Sequence, residues 1–146
     1  MRDVLFPSQE HDHRVCIDWA ITRAHQICAK RGVRLTALRE DVLRVLLSTH
    51  QAIGAYEIID KLNDQGRKLA PISVYRILDV LLQAGLVHRL ESKNAFFACL
   101  ANHHPEKPVV VFVCERCQRV AEAEAIDVWS GIKSMTKEDD FLLSAT

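Results

Sequence analysis

"PISVYRILDVLLQAGLVHRLESKNAFFACL", Pro71 to Leu100, changes periodicity at its centre. Up to Gly85 the apolar residues recur at helical spacing, and Ile77, Leu78, Leu81 and Leu82 form a candidate buried stripe. Pro71 suits the first helical position, where its missing N–H costs nothing, and Gly85 suits the position just past the end. Beyond Gly85, "LVHRLES" and "NAFFACL" are short, β-rich and separated by a polar turn, which reads as a hairpin. A helix feeding a hairpin, with a shorter helix and a turn before it, is the order of a winged helix-turn-helix.

The upstream residues agree. "AYEIIDKLND" is a short helix with Ile58, Ile59 and Leu62 facing inward, and "DQGRKL" is the turn after it. Thr36 is a good N-cap for a helix through Leu47 that sets Leu38, Val42, Val45 and Leu46 on one face. Before that, Ile17 to Lys30 carries Ile17, Ala20, Ile21, Ala24, Ile27 and Cys28 at helical spacing, with Gly32 to end it. Downstream, "ANHHPEKP" is a loop, "VVVFVC" and "RVAEAEA" are strands, and "IDVWSGIKSMTKE" fits a helix despite Gly131. "FLLSAT" begins like a strand. The expected fold is α+β: a winged helix-turn-helix over residues 1–100, a hinge over 101–108, and a small α/β module over 109–146.

The bulk numbers narrow the class. A chain of 146 residues, 49% hydrophobic, suits one domain or two very small ones. "MRDVLFPSQEHDHR" has no apolar core of a signal peptide, and no run approaches the ~20 apolar residues of a membrane span, so a cytoplasmic protein is expected. There, five cysteines point to thiols or metal ligands rather than disulfides. Net charge is zero, but Arg23 to Arg44 holds six bases against two acids. That run is either an attraction for nucleic acid or a solvated helical face.

In a helix-turn-helix the front of the second helix meets base edges. Here that places Ser73, Tyr75 and Arg76 at DNA, with Arg76 suited to a bidentate bond to guanine, and Tyr56 at the start of the preceding helix. On the hairpin, a two-residue turn at Lys93–Asn94 would set Leu90 opposite Phe97 and His88 opposite Cys99. Opposed residues share a sheet face, so imidazole and thiolate could share one zinc. His103 or His104, on the loop beyond, and Glu122 would complete a nitrogen, sulfur and oxygen site. "VFVCERCQRV" sets Cys114 and Cys117 between two strands, the setting of a structural zinc knuckle. A thioredoxin-like pair would instead open a helix.

Taken together, "RGVRLTALREDVLRVL", "AYEIIDKL", "PISVYRILDVLLQAGLVHRLESKNAFFAC" and "VFVCERCQRVAE" resemble the ferric uptake regulator (Fur) superfamily, and within it the zinc uptake regulator (Zur) branch. The resemblance runs from about Ile17 onward and implies a homodimeric, metal-dependent repressor that binds operator DNA of zinc-uptake genes. It puts regulatory zinc on His88, Cys99, a histidine of "NHH" and Glu122, structural zinc on Cys114 and Cys117, and DNA contacts on Tyr56 and Arg76. Iron-sensing members carry a His-rich run before the knuckle. "NHHPEKPVVVFVC" lacks one, and a thiolate ligand suits zinc better than ferrous iron.

The family's structural zinc is closed by a second C-x-x-C beyond a further helix and strand, so a C-terminal segment is expected to be missing after "FLLSAT". Cys16 and Cys28 are candidate substitutes, and "HDHRVC" a candidate extra metal cluster. The rivals are an iron, manganese or peroxide sensor of the same superfamily, a metal buffer, and a C-x-x-C thiol oxidoreductase. A hydrolytic zinc enzyme fits poorly, because four protein ligands leave no open position.

Overall fold

The structure, a computed structural model, describes residues 12–100 and 109–136. Five helices and four strands are ordered α1 (His13–Lys30), α2 (Ala37–Leu47), α3 (Ala55–Asp64), α4 (Pro71–Gln83), β1 (Val87–Leu90), β2 (Ala95–Ala98), β3 (Val109–Val113), β4 (Val120–Glu124) and α5 (Ile126–Thr136). The strand expected at "FLLSAT" lies outside the described residues, as does the loop 101–108.

Local signals account for the helix ends. The Asp12 carboxylate accepts from the Arg14 N–H at 3.0 Å and caps α1, which starts four residues before the expected Ile17. Asp12, within the stretch "HDHRVC", thus serves as a helix cap, while His11 of that candidate metal cluster lies outside the described residues. Thr36 caps α2 through its hydroxyl, which accepts from the Arg39 N–H at 3.4 Å. Pro71 opens α4, and Gly85, at φ +70°, closes it by letting the Leu86 N–H reach back to the Leu81 carbonyl at 3.0 Å. A Cβ on Gly85 would stand 3.1 Å from Arg31 Nη1.

One core joins α1 to α4 and the hairpin. Leu46, Ile58, Leu62, Leu78, Leu81, Val42, Val45 and Val74 are each under 2% exposed. The inward faces of α1 and α3 are the expected ones, and on α4 Val74, Leu78 and Leu81 are buried, with Ile77 and Leu82 half-buried beside them. Leu38 is a correction: at 39% exposed it leaves the α2 stripe, and Leu43 and Leu47 are inside instead. Each methylene buried stabilises by roughly 0.8 kcal/mol, so a packed cluster of this size dominates the fold's stability.

The hairpin register is also corrected. β1 and β2 pair Leu90 with Ala95, Arg89 with Phe96, His88 with Phe97 and Val87 with Ala98. The turn is longer than two residues, because Glu91–Lys93 form a 3-10 turn and Asn94 takes the left-handed conformation at φ 46°. His88 therefore does not oppose Cys99, whose N–H donates to the Leu86 carbonyl at 2.9 Å. The slip is two residues, and side chains repeat every two, so His88 and Cys99 remain on one face as diagonal neighbours.

Between α2 and α3, Ile53 exchanges two hydrogen bonds with Phe96 of β2 (2.9 and 2.8 Å), which adds a third, one-residue strand to the wing. Gln51, two residues earlier, bridges to Arg119, and the Val120 N–H donates to the His50 carbonyl at 2.8 Å. The strip 50–53 is thus backbone-bonded to the wing and to the start of β4. β3 and β4 form a second antiparallel pair, with Val111 opposite Glu122. Among the described residues, no helix is long and apolar enough to cross a membrane.

Candidate metal centre and nucleic-acid interface

His88 projects from β1, Cys99 follows β2, and Glu122 comes from the middle of β4. One ligand atom from each lies within 4.8 Å of the other two. His88 Nε2 stands 2.9 Å from Glu122 Oε1, with the side chains 28% and 5% exposed. Cys99 is buried at 8% exposed, and the His88 ring leans on Phe97 with centroids 5.5 Å apart. Zinc bonds of about 2.0–2.3 Å to nitrogen, sulfur and oxygen put tetrahedral donors roughly 3.3–3.8 Å apart, a range that the spacings here, 2.9 Å for His88–Glu122 and at most 4.8 Å overall, bracket. The donors come from the wing and from β4, and a common ion would tie the two together. His103 and His104 lie outside the described residues.

Cys114 and Cys117 occupy the turn between β3 and β4. The Cys114 N–H donates to the Arg119 carbonyl, and the Gln118 N–H to the Cys114 carbonyl, both at 2.8 Å. Gln118 turns the chain at φ 59°. The Cys117 N–H, then the Cys117 thiol and the Arg116 N–H, point at the Cys114 sulfur and lower its pKa, against a small opposing effect of burial. Those donors stabilise a thiolate, which is the ligand form of cysteine. The pair does not open a helix, which removes the setting a thioredoxin-like couple needs. Cys28 is no substitute ligand for this turn: it sits at 2% exposed inside the helical core, and burial raises its thiol pKa despite Arg39 and Arg31 nearby.

The DNA-facing candidates divide. Tyr56 is 68% exposed on the first turn of α3, and Arg76 is exposed on the second turn of α4. Ser73 is half-buried, and Tyr75 leans on the core. The basic run is largely engaged in structure. Arg44 pairs with Glu40 at 2.8 Å, Arg39 donates to the Arg34 carbonyl at 2.5 Å, and Arg31 donates to the Ala84 carbonyl at the end of α4. Arg23 stacks 5.6 Å over Trp19. Two of them tie helices to each other: Arg31 joins the end of α1 to the end of α4, and Arg44, 3.8 Å from Asp18, joins α2 to α1.

Three features escaped the sequence. Ile72 is 59% exposed at the front of α4, off the buried stripe, and that offset was its only available signal. The Gln51 side-chain amide donates to the Cys117 carbonyl at 2.9 Å, and the Lys93 ammonium donates to the Gln118 amide oxygen. Both link the winged-helix part to the cysteine turn, across separations no periodicity reports.

The sequence pattern of the ferric uptake regulator family matches residues 30–145. This chain belongs to that family. Among relatives of this family member, the zinc uptake regulation protein of Escherichia coli K12 is 39% identical over 109 residues, covering 73% of this chain and 64% of the relative. The matched stretch therefore spans just under two thirds of that protein. A solved zinc uptake regulator complexed with zinc and DNA is 35% identical with a TM-score of 0.80, over 89% of this chain and 87% of the other. The regulator XcZur is 36% identical in two states. Its holo form gives a TM-score of 0.74 over 89% of each chain, and its apo form gives 0.55 over 86% of each. The winged-helix α+β fold follows from these likenesses and from the element order.

Proposed function

We propose that this chain is a zinc-responsive transcriptional repressor that binds operator DNA of zinc-uptake genes as a homodimer in the cytoplasm. The observation that carries the reading is the meeting of His88, Cys99 and Glu122 from wing and β4. His88, Cys99, Glu122 and one of His103 and His104 would hold the regulatory zinc, and Cys114 and Cys117 would contribute to a structural one. Zinc, when bound, supplies a borderline-soft tetrahedral centre that suits this mixed donor set. Residues 1–100 act as the DNA-binding unit, 101–108 as the hinge, and 109–146 as the dimerisation and metal-binding module.

The chain's own residues do the rest. Glu122 presents a carboxylate from β4 to the wing, Cys99 a buried thiol, and His88 an imidazole, so the wing has one preferred seat on β4. Seating the wing orients α4, and in a dimer two such helices meet successive major grooves about 34–36 Å apart. Arg76 and Tyr56 then face the bases. The greater likeness to holo XcZur than to apo XcZur, at equal identity, supports reading this arrangement as the DNA-competent one. Membership of a family of metal-dependent regulators weighs against the oxidoreductase reading of Cys114 and Cys117.

The test is a titration of the purified chain with zinc, ferrous iron and manganous ion against a duplex recovered by the protein from a random-sequence pool. Zinc is expected to raise specific affinity at the lowest free concentration. Activation by ferrous iron alone would move the chain to the iron-sensing branch. Binding insensitive to every metal would overturn the sensor reading.

A further inference from the structure

The outward face of α4 carries Ile72, Arg76, Asp79 and Gln83, spaced as one helical stripe, and all are exposed. Ile72 is out of character on it. The other aliphatic side chains of the helix, Val74, Ile77, Leu78, Val80, Leu81 and Leu82, are buried or half-buried, whereas Ile72 is 59% exposed and lies outside the core cluster. It sits one turn ahead of Arg76, at the end of the helix that leads into the groove in a helix-turn-helix. A branched aliphatic side chain there can take no hydrogen bond from a base. The apolar group that the major groove offers it is the C5-methyl of thymine.

We infer that Ile72 is a specificity-determining residue that packs on a thymine methyl beside the base read by Arg76. The inference rests on α4 being the DNA-reading helix. Four residues at about 1.5 Å each span roughly 6 Å of helix, close to two base-pair steps at about 3.4 Å. The thymine therefore lies within about two base pairs of the guanine that Arg76 contacts. Arg76 and Ile72 would then read neighbouring positions by different means, one by hydrogen bonds and one by shape and apolar contact. This also gives the exposed isoleucine a partner that its own fold does not.

The experiment uses the zinc-loaded full chain and a duplex that it recovers from a random-sequence pool. Each thymine of that duplex is replaced in turn by deoxyuridine, which removes the C5-methyl and nothing else. Wild-type protein should lose about fourfold in affinity at one thymine per half-site, the factor that burial of one methyl group is worth. Ile72→Ala should bind the thymine duplex more weakly by a similar factor and bind the thymine and deoxyuridine duplexes alike. Because Ile72 is exposed, the variant should melt with wild type. An Ile72→Ala protein that keeps the deoxyuridine penalty at the same position overturns the inference, as does a specific duplex in which no thymine methyl matters. Failure to recover any zinc-dependent duplex overturns the proposed function itself, a result distinguishable from the other two.

Discussion

The side-chain amide of Gln51 donates to the backbone carbonyl of Cys117 at 2.9 Å. This bond joins the strip before α3 to the cysteine turn, and it is reinforced by the Gln51–Arg119 bridge and the Val120 to His50 hydrogen bond. The position of the helix pair is therefore tied to the cysteine turn as well as to the strand that carries the candidate ligand Glu122. An exposed hydrogen bond contributes about 0.5 kcal/mol, the low end of the usual range. Gln51→Ala should weaken zinc-saturated operator binding roughly twofold, and Gln51→Ala with Lys93→Ala by more than either alone, with bound zinc unchanged. Fluorescence anisotropy together with metal analysis checks both statements. Wild-type affinity in the double variant would show that these contacts do not hold the seated wing.

Cys99→Ser removes the softest donor of the cluster without touching α4. Nonspecific, salt-sensitive DNA binding should persist, since it depends on phosphate contacts. The zinc-dependent gain for specific DNA should vanish, a loss of about 1–3 kcal/mol or roughly 5–150-fold. Reciprocity adds a second readout: specific DNA should tighten zinc binding in wild type by the same factor, and not in the variant. Overlaying titration curves for the two proteins would take the switch away from this cluster.

Arg76→Ala should lose about 1–3 kcal/mol of discrimination for a guanine position while zinc content and dimerisation stay as in wild type. Competition binding against single-base variants of the duplex measures it. Unchanged selectivity at every position would remove Arg76 from the readers.

Glu40 joins α1 to α2, with Arg44 at 2.8 Å and His25 at 3.0 Å. The Arg44 hydrogen bond holds its carboxyl below the usual carboxylate range, burial opposes this, and His25 adds to the lowering. A lowered folded-state pKa means the stabilisation is fully present above the unfolded value and is lost as pH falls through the folded one. Glu40→Gln should therefore be less stable than wild type at neutral pH, by about 1 kcal/mol or less for a partly exposed pair. The gap should close in acid. Urea melts across that range test it, and a gap that stays constant with pH would mean the carboxylate charge is not the cause.

Gly85→Ala puts a Cβ at φ +70° and 3.1 Å from Arg31 Nη1, the group that donates to the Ala84 carbonyl. A left-handed alanine costs about 1–2 kcal/mol, and displacing Arg31 adds to it. Thermal unfolding should show at least that loss, whereas Gly131→Ala, in the α5 interior with nothing among the described residues within 4 Å of its Cβ, should be neutral or stabilising.

The sequence by itself determined the helices, the hairpin and the sidedness of the candidate ligands. Helical spacing, Thr36, Pro71 and Gly85 act over a few residues, so their effect is written locally. Even with the turn misread, His88 and Cys99 came out on one face, because a slip of two residues preserves the alternation of a strand. Tertiary structure alone decided what those residues meet. That β4 presents Glu122 to the wing, that Gln51 reaches Cys117, that Arg31 reaches the end of α4 and that Arg44 reaches Asp18 of α1 all depend on chain segments far apart in sequence. Ile72 was left outside the core because the buried stripe of α4 runs through Val74, Leu78 and Leu81 once the helix is docked. Such contacts are fixed by how the whole core closes, and closure is a property of packing that no local pattern carries.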